Sequence, residues 1–335
     1  MTPRLTLLLT AALMACATLP TQAASYQLGY LDGLGGASTT ITGINNAGRV
    51  VGISQDSNRV FHATTWTSRT PTNLDSDHTV YYGQYPDIYY TEPNYGSWAY
   101  GINQAGTMAG WMWVAYPGNA GASHAATWNG GTTTDITPYP NVSSNARAYG
   151  LNDRNQIVGS AYVASAGTQH AMLWSGTSVV DLGSLGGSSE ATGINNRGVV
   201  IGQASVPLVP DEAPATHAFV WRNNHMTDLG TLGGRNSSAN AINDLGLIVG
   251  DADTLLGTHA TVWNGSTLID LTPNSPDTFS SAQAINNFGQ VVGGYLDSSL
   301  AYAHAMLWNG TTAFDLNTLV DAADVDVESR AKLSH

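Results

Sequence analysis

Six histidines stand four residues ahead of six tryptophans, in the pattern His-Ala-x-x-Trp: His62 and Trp66, His124 and Trp128, His170 and Trp174, His217 and Trp221, His259 and Trp263, His304 and Trp308. Histidine is the commonest protein metal ligand and titrates near neutral pH, so the set invites a metal-centre reading. The spacing argues against one. Successive copies lie 62, 46, 47, 42 and 45 residues apart, so in a repeating fold they form a wide ring and not a tetrahedral cluster. No metal and no other cofactor is expected. These His and Trp are read as structural, each hydrogen-bonding a neighbouring repeat or loop. A second set is acidic. Asp181, Asp228, Asp270 and Asp315 recur near the end of a unit. A calcium site needs about 6–8 converging oxygens, so turn-capping or pairing with the repeated His suits them better.

The third set lies where the repeats differ. An insertion at 76–96 carries Tyr81, Tyr82, Tyr85, Asp87, Tyr89, Tyr90, Glu92 and Tyr95, and Trp98, Tyr100, Trp111, Trp113 and Tyr116 follow it. Tyr and Trp combine a broad apolar ring with one hydrogen-bonding group, which suits sugars or peptides. Trp111 and Trp113, two apart on a strand, share a face. The binding reading joins the insertion's tyrosines, Asp87 and Glu92 to Trp111 and Trp113 as one surface. The plainer reading is an aromatic cluster covering one repeat. A catalytic reading makes Asp87 and Glu92, with the nearby tyrosines, the site of a polysaccharide hydrolase or lyase. No Gly-x-Ser-x-Gly, His-Glu-x-x-His or phosphate loop is present, and one active site does not explain six equal copies. No catalytic residue is therefore assigned.

The elements that position these residues recur in fixed order. Each unit opens on Ala-x-Gly-Ile-Asn or a close variant, ending at Asn45, Asn103, Asn152, Asn195, Asn243 and Asn286. Three residues later comes Gly48, Gly106, Asn155, Gly198, Gly246 or Gly289. Asn first and Gly fourth describe a type I turn with its last residue at positive φ, a common hairpin connection. A short β-branched run ending in Gly follows, as in Val200-Ile201-Gly202, and reads as a second strand. His-Ala-x-x-Trp is the third strand. Its His and Trp are ~13 Å apart on one side, too far to bond each other. A fourth strand ends on Asp-Leu, with Asn73-Leu74 departing in the first copy. Four short antiparallel strands per ~45 residues predict an all-β fold, a β-propeller of six four-stranded repeats. A parallel β-helix is the alternative architecture.

These motifs carry a resemblance. Asp228-Leu229-Gly230-Thr231-Leu232-Gly233-Gly234, the Gly-Ile-Asn-Asn-x-Gly turns, Val-Val-Gly and His217-Ala218-Phe219 resemble the bacterial extracellular HAF repeat family. The resemblance covers about residues 26–319 and implies secretion by a bacterium, but no established activity. Two departures stand out. Residues 26–29 with Leu34-Gly35-Gly36 form a lone fourth strand and crossover ahead of any complete unit. After 316–321, where family members continue with another unit, an acidic tail at 321–335 follows. An incomplete seven-bladed propeller is thus the alternative to a closed six-bladed one.

Residues 1–24 read as an export signal: Arg4, a mostly apolar 5–19, then small residues for cleavage. The apolar run is too short for a confident membrane span. Leu13-Met14-Ala15-Cys16 offers a second reading, a lipid anchor at Cys16, with Met14 off-pattern. Residues 25–320 form the repeat domain. Charged residues are 10% of the chain and the net charge is −13, which excludes nucleic acid and an anionic membrane surface as partners. The expected function is a secreted, non-enzymatic binding or adhesion scaffold for polysaccharide or a cell-surface protein. A purely structural cell-surface protein is the other non-enzymatic reading. The expected place is extracellular, with the periplasm as an alternative.

Overall fold

Six four-stranded antiparallel sheets, blades I to VI, make up the computed structural model, which describes residues 30–75, 79–80, 89–90, 96–114, 122–137, 145–207, 215–273, 279–296 and 303–318. Blade I holds β1 (Gly35–Ile44), β2 (Val50–Asp56), β3 (Phe61–Trp66) and β4 (Pro71–Asn73). A two-stranded hairpin follows, β5 (Thr79–Val80) and β6 (Tyr89–Tyr90). Blade II holds β7 (Ser97–Ile102), β8 (Met108–Val114), β9 (Ala122–Asn129) and β10 (Thr132–Asp135). Blade III holds β11 (Arg147–Leu151), β12 (Gln156–Val163), β13 (Thr168–Ser175) and β14 (Ser178–Asp181). Blade IV holds β15 (Ser189–Ile194), β16 (Val200–Val206), β17 (Ala215–Arg222) and β18 (His225–Asp228). Blade V holds β19 (Ser237–Ile242), β20 (Ile248–Asp253), β21 (Thr258–Asn264) and β22 (Thr267–Asp270). Blade VI holds β23 (Phe279–Ile285), β24 (Gln290–Leu296), β25 (Ala303–Asn309) and β26 (Thr312–Asp315). A parallel pair, Thr258 with Phe279, links blades V and VI.

The first hairpin of each blade closes as its residues require. Gly48, Gly106, Gly198, Gly246 and Gly289 sit at φ between 75° and 92°, and Asn155 at 56°. In each turn the fourth residue's N–H donates to the Asn carbonyl. The Asn side chain holds the turn from within: Asn195 Oδ1 accepts from Arg197 N and Val199 N, both at 3.0 Å. A side-chain acceptor replaces backbone partners that a tight turn leaves unpaired.

Every blade also carries a bulge in its first strand. The register slips between Ile41 and Gly43, Ala99 and Gly101, Ala148 and Gly150, Ala191 and Gly193, Ala239 and Ala241, and Ala282 and Ala284. The extra residues are Thr42, Tyr100, Tyr149, Thr192, Asn240 and Gln283. A bulge re-aims a side chain, and here it points to the next blade. Thr42 donates to Ala99 O at 2.7 Å, Thr192 to Ala239 O at 2.6 Å, and Asn240 to Ala282 O at 2.9 Å.

Blades are joined by a repeated set of polar links. The Asn amide of each turn donates to the next turn's Asn carbonyl, from Asn45 through Asn103, Asn152, Asn195 and Asn243 to Asn286, at 3.0–3.2 Å. The following residue's N–H donates to a side-chain oxygen of the next turn, for example Asp153 N to Asn196 Oδ1 at 2.9 Å. At four junctions the Ala of His-Ala donates its N–H to a Ser at the head of the next blade, as Ala171 does to Ser189. Apolar cores fill the spaces between these links. Ala171 and Leu173 of blade III pack with Ala191, Val200 and Phe219 of blade IV. Each junction therefore needs its own small residues, and Ala fits where two sheets approach closely.

Among the described residues the Asn-to-Asn links run from Asn45 to Asn286. The Asn286 amide donates to Gln290 Oε1 in its own turn, 2.8 Å, and substantial packing between elements runs between sequence-neighbouring blades. The expected lone strand at 26–29, the leader at 1–24 and the tail at 321–335 lie outside the described residues.

Candidate functional site

The repeated His and Asp meet inside one blade. His124 Nδ1 lies 2.5 Å from Asp135, His170 2.9 Å from Asp181, His217 2.8 Å from Asp228, His259 2.8 Å from Asp270 and His304 2.7 Å from Asp315. The third and fourth strands pair so that Asp181 stands opposite Met172, two residues from His170. The His therefore bonds the repeated Asp of its own blade, where the expectation for the His was a neighbouring blade or loop and that for the Asp was turn-capping or pairing with the repeated His. The Trp do reach out. Trp66 Nε1 donates to Asp32 O, Trp128 to Asp75 Oδ1 and Trp263 to Leu229 O, each in the crossover entering the blade. Trp174 and Trp308 are buried without that bond, and Trp221 is half-buried. Among the described residues no group of three or more His, Cys, Asp and Glu converges on a metal-sized site.

Blade I departs, with Asn73 where the others have Asp. His62 instead lies 3.4 Å from Asp56 and 3.9 Å from Asp75. The nearby Asp75 carboxylate, opposed by burial and helped by Asp56, raises its pKa above the ordinary 6.5. A His with a raised folded-state pKa adds stability that is complete below pH 6.5 and lost as pH rises through the folded value. We expect His62→Gln to lose more stability relative to the parent at pH 6 than at pH 8.5, read by urea unfolding. An equal loss at both pH values would show that the charge on His62 contributes nothing.

The repeats diverge most at one cross-strand pair beside each bulge. The pairs are Thr40 with Ile53, Trp98 with Trp111, Arg147 with Ser160, Glu190 with Gln203, Ser238 with Asp251 and Ser281 with Gly294. On blades I to III this layer becomes a column. Phe61 stacks on Trp98 at 6.3 Å, Trp98 on Trp111 at 3.9 Å, and the Arg147 guanidinium caps Trp111 at 4.7 Å. The bulge residues continue it. Trp111 Nε1 donates to Tyr100 Oη at 3.4 Å, and the Tyr100 and Tyr149 rings lie 5.4 Å apart. Burial, then the neighbouring Glu190 charge, pushes the Tyr149 hydroxyl up to about 12. Burial likewise raises the Glu190 carboxyl above its ordinary value. Aromatic and cationic faces, a phenol and a carboxyl thus converge over four blades.

Only part of the expected surface falls among the described residues. Trp111 is 7% exposed, with Trp98 on one face and Arg147 on the other. Both faces of its ring are therefore covered. Trp113 is half-buried on the same strand. Tyr81, Tyr82, Tyr85, Asp87, Glu92 and Tyr95 lie outside the described residues, and Tyr89 and Tyr90 are seen as backbone strand. Strand β5 lies beside β10, the outer strand of blade II and two strands from β8. The described residues thus do not bring the insertion together with Trp111. Arg147, Tyr149, Glu190 and Phe61 were missed because they come from different repeats. Aligning the repeats on Ala-x-Gly-Ile-Asn marks three of them. The residue before that Ala reads Thr40, Trp98, Arg147, Glu190, Ser238, Ser281, and Tyr149 is a bulge residue.

One solved structure superposes well on this arrangement. The β-propeller domain of the Trilobed protease from Pyrococcus furiosus, described as having an open velcro topology, aligns with a TM-score of 0.51 at 10% identity, over 83% of this chain and 84% of that one. The fold is a β-propeller. TolB from Acinetobacter baumannii aligns with a TM-score of 0.44 at 10% identity, over 79% and 65% of the two chains. A six-bladed fungal lectin from Aleuria aurantia gives 0.35 at 12%, over 81% and 92%. At 10% identity the first of these matches speaks to the propeller fold alone. No protein-family model and no curated protein matches the chain.

Proposed function

We propose that this propeller is an exported, non-catalytic scaffold that binds a neutral polysaccharide at the column on blades I to IV. The observation that carries the reading is the column itself: stacked Phe61, Trp98 and Trp111 capped by the exposed Arg147, with Tyr149 and Glu190 alongside. Half-buried Trp98 offers an apolar ring edge, Arg147 offers N–H donors, and Glu190 accepts from hydroxyls. Such a mixture of apolar ring and few polar groups suits a sugar. The net charge of −13 disfavours a polyanionic ligand. Export rests on the leader at 1–24 and on the resemblance to HAF repeat proteins, which supports an extracellular place.

A glycan array with the exported chain, followed by Arg147→Ala and Trp98→Ala, tests this. Each substitution is expected to weaken binding about tenfold, near 1.4 kcal/mol, with folding intact by circular dichroism. Binding of no glycan by the parent, or equal binding by folded variants, would leave the purely structural reading.

A further inference from the structure

We propose that blade VI of one copy docks on blade I of a second copy through the junction that joins consecutive blades within the chain. The two end faces carry its two halves. At five internal junctions an Asn amide donates to the next Asn carbonyl. Asn286 bonds Gln290 of its own turn as Asn152 bonds Gln156, but Asn152 also uses its second N–H to reach Asn195 O. The counterpart for the second N–H of Asn286 is the Asn45 carbonyl on blade I. The bulge residue Gln283 stands where Asn240 bonds Ala282 O, but it folds back on Ser281 Oγ at 2.7 Å. Its counterpart is the Ile41 carbonyl. Ala305 pairs with Gly294 in the register that sets Ala171 opposite Ser160, so its N–H faces the same way. Ala171 meets Ser189 there. The matching residue on blade I is Thr39, whose hydroxyl bonds Ser54 instead, 2.9 Å.

Burial follows the same pattern. Ala63, Ala125, Ala171, Ala218 and Ala260 are 0% exposed, while Ala305 is half-buried. On blade I, Ile41 is half-buried at the position where five Ala are wholly covered by the preceding blade. Ile44 beside it is exposed. The five most exposed large apolar side chains, Leu245, Leu255, Leu256, Phe279 and Phe288, all belong to blades V and VI. Leu245 and Phe288 lie at the turn end of the strands and Leu255, Leu256 and Phe279 at the opposite end, so both ends of these two blades carry exposed apolar groups. The occupant must offer a turn Asn carbonyl, a hydroxyl at the head of its first strand and a bulged strand carbonyl. Blade I of another copy carries all three. Such a head-to-tail contact is heterologous and propagates to a ring or a filament. Like charges on two copies at −13 oppose it, so salt favours it.

Cross-linking tests the proposal. In a Cys16→Ser background, Thr39→Cys with Ala305→Cys is expected to form disulfide-linked dimers and larger species on a non-reducing gel. The pair Ala171→Cys with Ser189→Cys, at an internal junction, is expected to run as a monomer with an internal bond. A monomeric internal bond in the first pair means that the ring closes on itself and overturns the proposal, as does no bond at all. Sedimentation of the unaltered chain is independent of those variants. Its mass is expected to rise with concentration and with salt from about 0.05 to 0.5 M, and Ile41→Asp to suppress the rise. A monomer throughout overturns the proposal whether or not the column binds glycan.

Discussion

Gly250→Ala is expected to destabilise the protein by about 3 kcal/mol or more, the upper range for forcing atoms into a packed interior. A Cβ on Gly250 would overlap the Ser238 carbonyl oxygen and crowd the Ala239 backbone. These are backbone atoms of the paired strand, so no flexible side chain can move aside. The same crowding recurs at Gly52, Gly110, Gly159, Gly202 and Gly293, each against the first strand of its own blade. The cause is the bulge: it folds the strand's carbonyl over the second strand, and a side chain there would push it back. The comparison is Gly265→Ala. Its φ is +62° with open space around the added atom, so it bears only the left-handed penalty of about 1 kcal/mol. Thermal and urea unfolding of both decide it. Equal costs would mean that close strand contact does not hold the bulge.

Asn195→Ala is expected to cost about 2–4 kcal/mol, because three hydrogen bonds of a buried side chain are lost together. Two are the acceptor bonds from Arg197 and Val199 inside the turn, and the third is the donor bond to Asn243 O in blade V at 3.0 Å. Asn286→Ala separates the terms. Asn286 holds its turn the same way through Phe288 N and Gln290 N, but its amide bonds within its own turn. Both variants lose three bonds, but Asn286 and its amide partner Gln290 are half-buried and water can replace that bond, so Asn286→Ala should cost about 1 kcal/mol less. Urea midpoints of the two variants, with unchanged slopes, measure the difference. Equal costs would show that the link between blades is worth no more than a bond within one turn.

The turns, the strand order and the fourfold unit were legible in the residues because each is a local requirement. Asn195 with Gly198 demands one turn geometry, and a run such as Val200-Ile201-Gly202 fits a half-buried pleat. The pairing of His170 with Asp181 was one of two readings the spacing allowed. The candidate site was less legible. Trp111 was read as sharing one surface with the insertion, or as part of a packed aromatic cluster, and its two faces are taken by Trp98 and Arg147. The Arg lies 36 residues downstream on another blade, and no local pattern links the two.

The sequence by itself determined the period, the all-β class, the number of repeats and which side chains are common to every blade. Those follow from residue preferences acting over a few neighbours, copied six times. Tertiary structure alone decided that the bulge turns Thr42, Tyr149 and Asn240 toward the following blade, and that Arg147 caps a column begun at Phe61. It also decided that, among the described residues, the last of these links is the one from Asn243 to Asn286. These depend on how far one sheet is rotated and set against the next. That geometry comes from packing between blades, summed over many contacts, and no single repeat encodes it.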